Sequence, residues 1–452
     1  ASKVSEKHED LFVVVKTADE LKARTEAGYS VYLHDSYTDK TVNNLMTGID
    51  TGKVTIVDSI SYVGTGTKQD VVINTNGGTL TINAENDTVS HYGQLQESNI
   101  VNVGKTDCYH EYGKVNGKIN ITEGKVVLQN NSNVSFINIA TDNVSNLSVD
   151  IKDGAEYGRV TASSDEILNS AISKISSSKE IKKIVANDSV AAIVNDVAYA
   201  DLKVAFETFK NTKNSVLELF KSFDGIYMNS DNSDYHLEMP ENGTIDGHGY
   251  QISGNVCINI NKNGGSLKNI YFFGSFNNAQ RTPEDIERYG NAERGKLTSV
   301  YASGLIGKID IKNCKFDSAD WEAIQVTPVA GASINISNCS FMHTDKSWKQ
   351  NRFIHVQSDK ECDFTISVKY CDFYDIENGL MEQAFEVYYP KGINNMDFSN
   401  NYFEGIDVSR SYTADEAYNS LANRHLACVG YGKSYMNYSN GVLNQASSKP
   451  NN

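Results

Sequence analysis

A six-residue motif in the second half of the chain constrains the fold more than any other feature. Its five copies start at residues 267, 311, 336, 368 and 398. Around the second copy, the apolar pair Ile309 and Ile311 is followed by the pair Cys314 and Phe316, out of phase with it. Because side chains alternate between faces along a strand, a straight strand cannot bury both pairs on one side. One residue between the pairs must therefore turn the chain.

The turning residue is asparagine in four of the five copies. These residues are Asn269, Asn313, Asn338 and Asn400, and Tyr370 takes the position in the fourth copy. Asparagine tolerates the left-handed backbone conformation that a tight bend needs. A fixed bend combined with intervals of 25 to 44 residues predicts a parallel β-solenoid. Its coils vary in length while equivalent positions stack about 4.8 Å apart.

A second strand is predicted in each coil, in segments 323–326, 353–356 and 384–387. Alternation within these segments predicts an inward set: Ile324, Val326, Ile354, Val356, Phe385 and Val387. It also predicts an outward column of polar side chains: Gln325, His355 and Glu386. Polar groups from successive coils therefore meet on one face.

The first half carries weaker signals of the same kind. Short alternating runs such as 70–74 are separated by Gly and Asn turns, which is typical of strands. Each half also opens with a strand, helix and strand pattern, at residues 12–33 and 190–219. In the first, Thr17 and Glu20 form a capping-box signature. Such a segment is expected to cover the apolar core that the first coil of a solenoid would otherwise expose.

The chain is accordingly predicted to be mainly β, with two capped β-solenoid domains in tandem. The predicted division is an N-terminal capped solenoid at 1–161, a helical connector at 162–189, a second solenoid at 190–440 and a polar tail at 441–452.

Composition narrows the classes of partner. The chain has 41 Lys and Arg against 57 Asp and Glu, a net charge of −16, which repels phosphate backbones and argues against nucleic acid. No apolar run approaches the roughly 20 residues that span a bilayer, so no membrane insertion is expected. The seven cysteines form no CxxC pair, and Cys314, Cys339 and Cys371 are expected to stack in the interior as free thiols.

The Ile-x-Asn-Cys-x-Phe repeats, with Asn at the bend, resemble the right-handed parallel β-helix of the pectate-lyase-like superfamily over roughly residues 215–410. The stretch Trp321–Pro328 is similar to coils in surface proteins of Gram-positive gut bacteria. The resemblance implies that each domain is a right-handed parallel β-helix and that the protein is secreted or associated with the cell surface or cell wall. It does not imply a reaction, because this fold hosts enzymes and non-enzymes alike.

The outward column is the predicted ligand site. The predicted ligand-binding residues are Trp321, Gln325, Trp348, His355, Glu386 and Tyr388. Aromatic faces stack on sugar rings, and neighbouring polar groups fix their orientation. The alternative is the ordinary solvated face of a solenoid.

The catalytic candidates are His355, Glu386 and Arg352. In the pectate lyases that the chain resembles, an Arg base acts beside bound calcium, and Asp231 and Asp234 are the candidate metal ligands here. Calcium requires six to eight oxygen ligands, so no cofactor is the preferred prediction and calcium is the alternative. Glu322 and Arg352 are expected instead to form an ion pair between coils.

Two shorter sequences that contain histidine are also candidates for a catalytic or metal-binding role. Gly247-His-Gly249 is similar to the catalytic histidine motif of polygalacturonase-like glycoside hydrolases, whose other motifs are missing here, and is interpreted as a tight bend. His91-Tyr-Gly and His110-Glu-Tyr-Gly are interpreted as repeated turns, with metal coordination as the alternative.

The sequence thus predicts an exported cell-surface protein, a non-catalytic adhesin or display module that binds a polysaccharide or glycoprotein surface. Two alternatives remain open. One is a polysaccharide lyase or glycoside hydrolase that acts on acidic polysaccharide, and the other is a structural surface protein that assembles with itself.

Overall fold

The computed structural model describes residues 13–15, 17, 19–20, 23, 31–33, 54–56, 59–64, 66–75, 78–93, 100–225, 228, 235–274, 283, 298–319, 321–344, 350–358, 362–374, 381–388, 396–404, 412–413, 425–427, 433–439 and 442–446. The chain is mainly β, and two compact units divide it. Unit 1 comprises Ala1–Val190, Asp196–Ala198 and His248–Tyr250, and unit 2 comprises Ala191–Asn195, Tyr199–Gly247 and Gln251–Asn452.

The first fourteen strands form one sheet. They are β1 Val13–Val15, β2 Val31–Leu33, β3 Val54–Ile56, β4 Ile60–Val63, β5 Asp70–Thr75, β6 Thr79–Gly93, β7 Ile100–Glu111, β8 Lys114–Ile121, β9 Gly124–Leu128, β10 Asn133–Ile139, β11 Leu147–Ile151, β12 Glu156–Ala162, β13 Ile175–Ser177 and β14 Lys183–Val185.

The remaining strands form two further sheets. They are β15 Ala192–Val194, β16 Val197–Tyr199, β17 Val216–Leu219, β18 Phe223–Asp224, β19 Tyr235–Glu238, β20 Gly243–Asp246, β21 Gln251–Ser253, β22 Val256–Asn259, β23 Gly264–Lys268, β24 Tyr271–Phe273, β25 Val300–Leu305, β26 Lys308–Lys312, β27 Lys315–Asp317, β28 Glu322–Pro328, β29 Ser333–Ser337, β30 Ser340–Met342, β31 Gln350–Val356, β32 Thr365–Lys369, β33 Asp372–Tyr374, β34 Met381–Tyr388, β35 Met396–Glu404, β36 Tyr412–Thr413, β37 His425–Ala427, β38 Lys433–Ser439 and β39 Val442–Ala446.

Helices are few and begin at well-formed caps. Helix α1 spans Asp165–Ile172, and its N-cap Ser164 accepts a hydrogen bond from the Ile167 amide. Helix α2 spans Leu202–Lys210, and the Asp201 side chain accepts from the amides of residues 203 and 204. A 3-10 turn covers Val144–Asn146. Because Asp201 supplies the cap, α2 starts just after strand β16 ends at Tyr199.

The strand, helix and strand order predicted at each opening is present at the second. There α2 lies between β15 and β17, which pair antiparallel. At the first opening β1 and β2 pair parallel. Thr17 and Glu20 make the two reciprocal hydrogen bonds of a capping box, at 3.2 and 3.3 Å.

Two predicted boundaries change. The predicted connector at 162–189 contains α1 and the strands β13 and β14, which pair parallel with β11 and β12. It is therefore part of the first sheet. The predicted polar tail begins with β39, which pairs antiparallel with β38. The sequence Val-Leu-Asn-Gln-Ala of 442–446 conceals this strand, because its apolar and polar residues do not alternate.

The phase slip in the repeated motif is confirmed as a left-handed bend. The φ angles are 56° at Asn269, 54° at Asn313, 51° at Asn338 and 58° at Asn400. Tyr370 adopts the same conformation, with φ of 57°. Both apolar pairs are consequently buried in the second, third and fourth repeats, as Ile311 and Phe316 at 1% exposure illustrate.

The repeats pair in register across unit 2. Ile311 pairs with Ile336, which pairs with Val368. The phenylalanines that end the motif stack face to face, with centroid distances of 4.7, 5.0 and 4.9 Å along Phe272, Phe316, Phe341 and Phe373. Cys314, Cys339 and Cys371 are buried free thiols, as predicted, and the other three cysteines among the described residues are also free.

Unit 1 carries a row of side-chain amides across its strands. Asn138 donates to Asn120 at 2.8 Å, and Asn120 donates to Asn102 at 2.9 Å. Thr81 accepts from Asn102 at one end, and Thr161 donates to Asn138 at the other. The row links five strands through hydrogen bonds between residues that the backbone pairing aligns.

Candidate functional site

The predicted column of Gln325, His355 and Glu386 is aligned by strands β28, β31 and β34. Gln325 pairs with His355, and His355 pairs with Glu386. The same alignment continues upstream through Tyr301 of β25, which pairs with Gln325. Sequence reasoning missed Tyr301, although the alternating run Val300–Ala302 gives the signal that places it outward.

A buried carboxylate organises the residues around this column. Glu322 is 1% exposed, and its Oε1 accepts a hydrogen bond from Nη1 of Arg352 at 3.0 Å. The Nδ1 atom of His355 lies 3.1 Å from the same oxygen. The hydroxyl of Thr298 donates to Oε2 at 3.4 Å and lies 3.5 Å from Oε1 of Gln325. We name Thr298, Glu322, Gln325, Arg352 and His355 the Glu322 cluster.

The ion pair predicted between Glu322 and Arg352 is thus present, whereas the expected solvent exposure of His355 is wrong. The His355 residue is 9% exposed. Its environment comes from Glu322, which lies about thirty residues earlier in sequence and on the neighbouring strand. A column defined by alternation alone cannot anticipate that contact, because it depends on the side chain of a different strand.

Strand β31 also departs from simple alternation. Phe353 and Ile354 are both fully buried. The Phe353 ring lies 5.8 Å from that of Phe341 and 6.1 Å from that of Phe373. This second change of phase packs Phe353 into the stack of aromatic rings and fixes the backbone that carries Arg352 and His355.

The Glu322 cluster is suited to holding side chains in place. Both oxygens of the carboxylate have partners, and the side chains of Arg352 and His355 are 20% and 11% exposed. A buried carboxylate whose oxygens both accept hydrogen bonds holds the neighbouring side chains in fixed orientations. In many binding sites, residues that do not touch the ligand orient the residues that do in the same way. Half-buried Trp321 adjoins the cluster, since its carbonyl accepts from the Arg352 amide at 3.4 Å.

Several predicted site residues cannot be placed at side-chain level. Trp348, Asp231 and Asp234 lie outside the described residues. The backbone of Glu386 and Tyr388 is described in β34, and their side chains are not. Within the described ranges, no group of three or more His, Cys, Asp and Glu side chains could hold a metal ion.

The interpretation of His91-Tyr-Gly and His110-Glu-Tyr-Gly as turns is wrong, because His91 and His110 lie within strands β6 and β7. Unit 1 contains a second polar network there, whose contacts sequence reasoning missed. His91 is fully buried, with Nδ1 2.6 Å from Oε2 of Glu111 and Nε2 2.7 Å from the Thr75 hydroxyl. The Tyr109 hydroxyl donates to the same carboxylate oxygen at 2.6 Å. The amide of Gly113 donates to Oε1 at 2.8 Å. We name Thr75, His91, Tyr109 and Glu111 the His91 network.

The order nucleophile, imidazole and carboxylate in the His91 network is the one that hydrolases use. Every member is at most 3% exposed, however. A substrate must reach the hydroxyl for such an arrangement to react, so the network ties strands together rather than performing chemistry. Burial raises the pKa of the Tyr109 hydroxyl well above its usual range, with the Glu111 charge as the next cause.

Gly247-His-Gly249 also has a structural role. His248 and Gly249 adopt left-handed φ angles of 49° and 80°, as the interpretation of a tight bend predicted. Asp246 is buried. Its carboxylate forms an ion pair with Lys268 at 3.3 Å and accepts a hydrogen bond from the side-chain amide of Asn269 at 3.0 Å.

None of the helices in the described segments combines the length and apolar character needed to cross a membrane. No protein-family model, no curated protein and no solved structure matches the chain.

Proposed function

We propose that each unit winds as a right-handed parallel β-solenoid and that the protein is an exported surface module that binds a polysaccharide or glycoprotein without transforming it. Unbroken parallel pairing from β20 through β35 at one repeated bend supports the solenoid. Right-handedness is supported by the strong preference of parallel crossover connections for that hand. The resemblance of residues 321–328 to surface-protein coils supports the location.

The single observation that carries the binding proposal is the Glu322 cluster beneath a partly exposed face. Glu322 accepts a hydrogen bond from Arg352 at 3.0 Å and lies 3.1 Å from the His355 ring, while Trp321, Tyr301 and Gln325 remain partly accessible beside them. A site of this kind binds with little loss of side-chain entropy, because its polar groups are already held in position. Trp321 and Tyr301 supply aromatic surface for sugar rings.

The burial of the Glu322 carboxylate favours binding over catalysis. An inverting glycosidase needs two accessible carboxyl groups about 6.5 to 9.5 Å apart. Glu322 is 1% exposed and its oxygens are occupied by Arg352, His355 and Thr298. Glu322 therefore positions the side chains around it.

The test uses the full chain on immobilised plant, mucin and microbial polysaccharides, with and without calcium. Replacing both Trp321 and Gln325 by Ala should weaken retention on the preferred polysaccharide by about tenfold or more, which is about 1.4 kcal/mol. Tyr370→Ala is the matched control, since Tyr370 is a 49% exposed aromatic residue of the same unit outside the cluster. Equal retention of the variant and the wild type would contradict the proposed site.

A lyase is the second candidate, favoured by one observation. His355 has a carboxylate partner at 3.1 Å and Arg352 beside it, and a base oriented by a carboxylate is a common catalytic arrangement. The same incubations are assayed for unsaturated uronides and new reducing ends. Product that disappears in His355→Ala would replace the binding proposal with a lyase, and absence of product is the expected result.

A further inference from the structure

The two repeated sequences around His91 and His110 place two tyrosines on one exposed face of unit 1. The ring centroids of Tyr92 and Tyr112 are 4.8 Å apart and their planes differ by 10°. The two residues are 40% and 36% exposed. Large aromatic side chains seldom remain exposed in pairs without a role, because burying them is favourable.

Backbone geometry makes the stack a fixed feature. The Tyr112 amide donates to the His91 carbonyl at 2.9 Å, which aligns the two strands at this level. Gly93 and Gly113 follow the tyrosines, and a Cβ atom at Gly113 would lie 2.2 Å from the Gly93 nitrogen. The glycines therefore allow the close approach that brings the rings together.

The His91 network supports the stack from the interior. His91 precedes Tyr92 and Glu111 precedes Tyr112, and their side chains meet at 2.6 Å. Glu111 also holds the amide of Gly113 at 2.8 Å. Buried contacts of His91, which precedes Tyr92, and of Glu111 and Gly113, which flank Tyr112, thus hold the backbone that carries the exposed rings. A preorganised binding surface requires support of this kind.

Polar groups continue the row in the next strands. Gln129 follows Tyr112, since its amide donates to the Glu111 carbonyl at 2.9 Å, and Lys152 follows in turn. The Gln129 side chain lies 2.7 Å from Nδ1 of His110. With strands about 4.8 Å apart, the four positions extend about 14 Å, which suits an extended ligand.

These groups carry little net charge. Lys152 is paired with Asp150 at 2.6 Å. Burial, followed by the charges of Lys125 and Lys152, lowers the pKa of His110, so its imidazole is neutral at neutral pH. The chain as a whole carries −16, and this field disfavours anionic polymers.

We infer that Tyr92, Tyr112, His110 and Gln129 form a second binding site, specific for a neutral oligosaccharide. The stacked tyrosines cover each other's facing surfaces, so the sugar rings pack against the exposed edges and outer faces of the pair. The imidazole and amide groups hydrogen-bond the hydroxyl groups. The choice of a glycan as the ligand rests on the proposed function. The residues of this second site belong to unit 1, however, and do not include any member of the Glu322 cluster.

The experiment is calorimetric titration of the full chain with maltohexaose, cellohexaose and chitohexaose, and with hexagalacturonate as the acidic arm. We expect at least one neutral probe to bind more tightly than hexagalacturonate, with a Kd that is nearly insensitive to salt. Tyr92→Ala and Tyr112→Ala should each raise that Kd about tenfold. Tyr112→Phe should change it less than about threefold, because the ring face is kept.

Fold integrity is checked by the melting temperature, which these exposed substitutions should leave nearly unchanged. Tyr370→Ala, an exposed tyrosine of unit 2, is the matched control. If Tyr92→Ala perturbs melting, Gln129→Ala is the second variant, with an expected loss of at least threefold.

The two proposals fail separately. Loss of neutral-glycan binding in the tyrosine variants, with retention in the variant lacking Trp321 and Gln325, supports the inference. The opposite pattern overturns it and leaves the proposed function standing. Preference for hexagalacturonate, or failure of every neutral probe to bind the wild type, also overturns it.

Discussion

Units 1 and 2 both have an apolar core, but they supplement it with different contacts between strands. The interior of unit 1 contains the His91 network, in which four buried polar side chains are joined by hydrogen bonds of 2.6 to 2.7 Å. The corresponding interior of unit 2 contains four stacked phenylalanines and three thiols. Hydrogen bonds are directional, and each member of a network depends on the others, whereas apolar stacking is additive and tolerant of small shifts. The difference teaches that an apolar interior between parallel strands can be reinforced by either kind of contact.

The largest effect is expected from a break in the apolar stack. Phe341→Ala removes a ring that lies 5.0 Å from Phe316 and 4.9 Å from Phe373, and should lower the free energy of unfolding of unit 2 by about 3 to 5 kcal/mol. Both tryptophans lie in unit 2, so tryptophan fluorescence in denaturant reports that unit alone. The 38% exposed Phe273, replaced by Ala, is the control with little expected effect. An equal loss in both variants would refute the role of the stack.

A smaller but more localised effect is expected in unit 1. The Glu111 carboxylate interacts with His91, Tyr109 and the Gly113 amide. Glu111→Gln preserves the shape of the side chain but replaces one acceptor oxygen by an amide group that donates. The expected cost is about 1 to 3 kcal/mol, and hydrogen-exchange mass spectrometry should detect it in residues 70–130 without change in unit 2. Exposed Glu156→Gln is the control in the same unit. If the loss spreads evenly over both units, the network is not a separate source of stability.

Alkaline pH should distinguish the two interiors. Burial raises the pKa values of the Cys314 and Cys339 thiols and of the Tyr109 hydroxyl well above their usual ranges. The unfolded chain then loses these protons at lower pH than the folded chain, so stability is complete at neutral pH and falls as pH rises. The fall should begin above about pH 8.5 in unit 2. In unit 1 the partly buried Cys108 thiol, whose pKa burial also raises, starts a smaller fall in the same range, and Tyr109 adds to it above about pH 10.

Each such group contributes at most about 1.4 kcal/mol per pH unit. Unfolding midpoints measured from pH 7 to 11 test this order. Cys339→Ala should reduce the slope in unit 2 between pH 9 and 10. An unchanged slope would show that another group titrates there.

The smallest effect is a stabilisation. Tyr370 has the left-handed φ of 57° that asparagine occupies in the other four repeats. Tyr370→Asn should raise the stability of unit 2 by about 1 kcal/mol, because asparagine tolerates this conformation better. Asn338→Ala, at the equivalent bend, should lower it by a similar amount. A loss of stability in Tyr370→Asn would mean that the exposed tyrosine ring makes a contact worth more than the relief of strain.

The bends and the register could be predicted from the sequence because their causes are local. The out-of-phase pairs around Asn313 require a turn at a single residue. Backbone sterics favour asparagine there, and the structure agrees at every copy. The bend could also be predicted at Tyr370. Tyrosine itself does not indicate a left-handed conformation, but the apolar pairs on either side of Tyr370 are out of phase, and this requires a bend between them.

The burial of His355 and the His91 network could not be predicted, because each depends on partners that are distant in sequence. Glu322 and His355 meet through strand pairing, and Thr75 reaches His91 across sixteen residues. Alternation assigns a face to a residue but does not say which side chain lies beside it. The stacked tyrosines did leave a trace, since a Tyr-Gly pair follows a histidine twice, directly after His91 and after one intervening residue at His110.

The register of the repeats is independent of the distance between them. Leu267, Ile311, Ile336, Val368 and Phe398 occupy successive paired positions although the intervals range from 25 to 44 residues. Length changes are absorbed entirely by the connections. A lineage of such proteins can therefore evolve by insertion and deletion, acquiring new surface loops without re-optimising the interior. The same property makes unit 2 a natural scaffold for grafting foreign peptides.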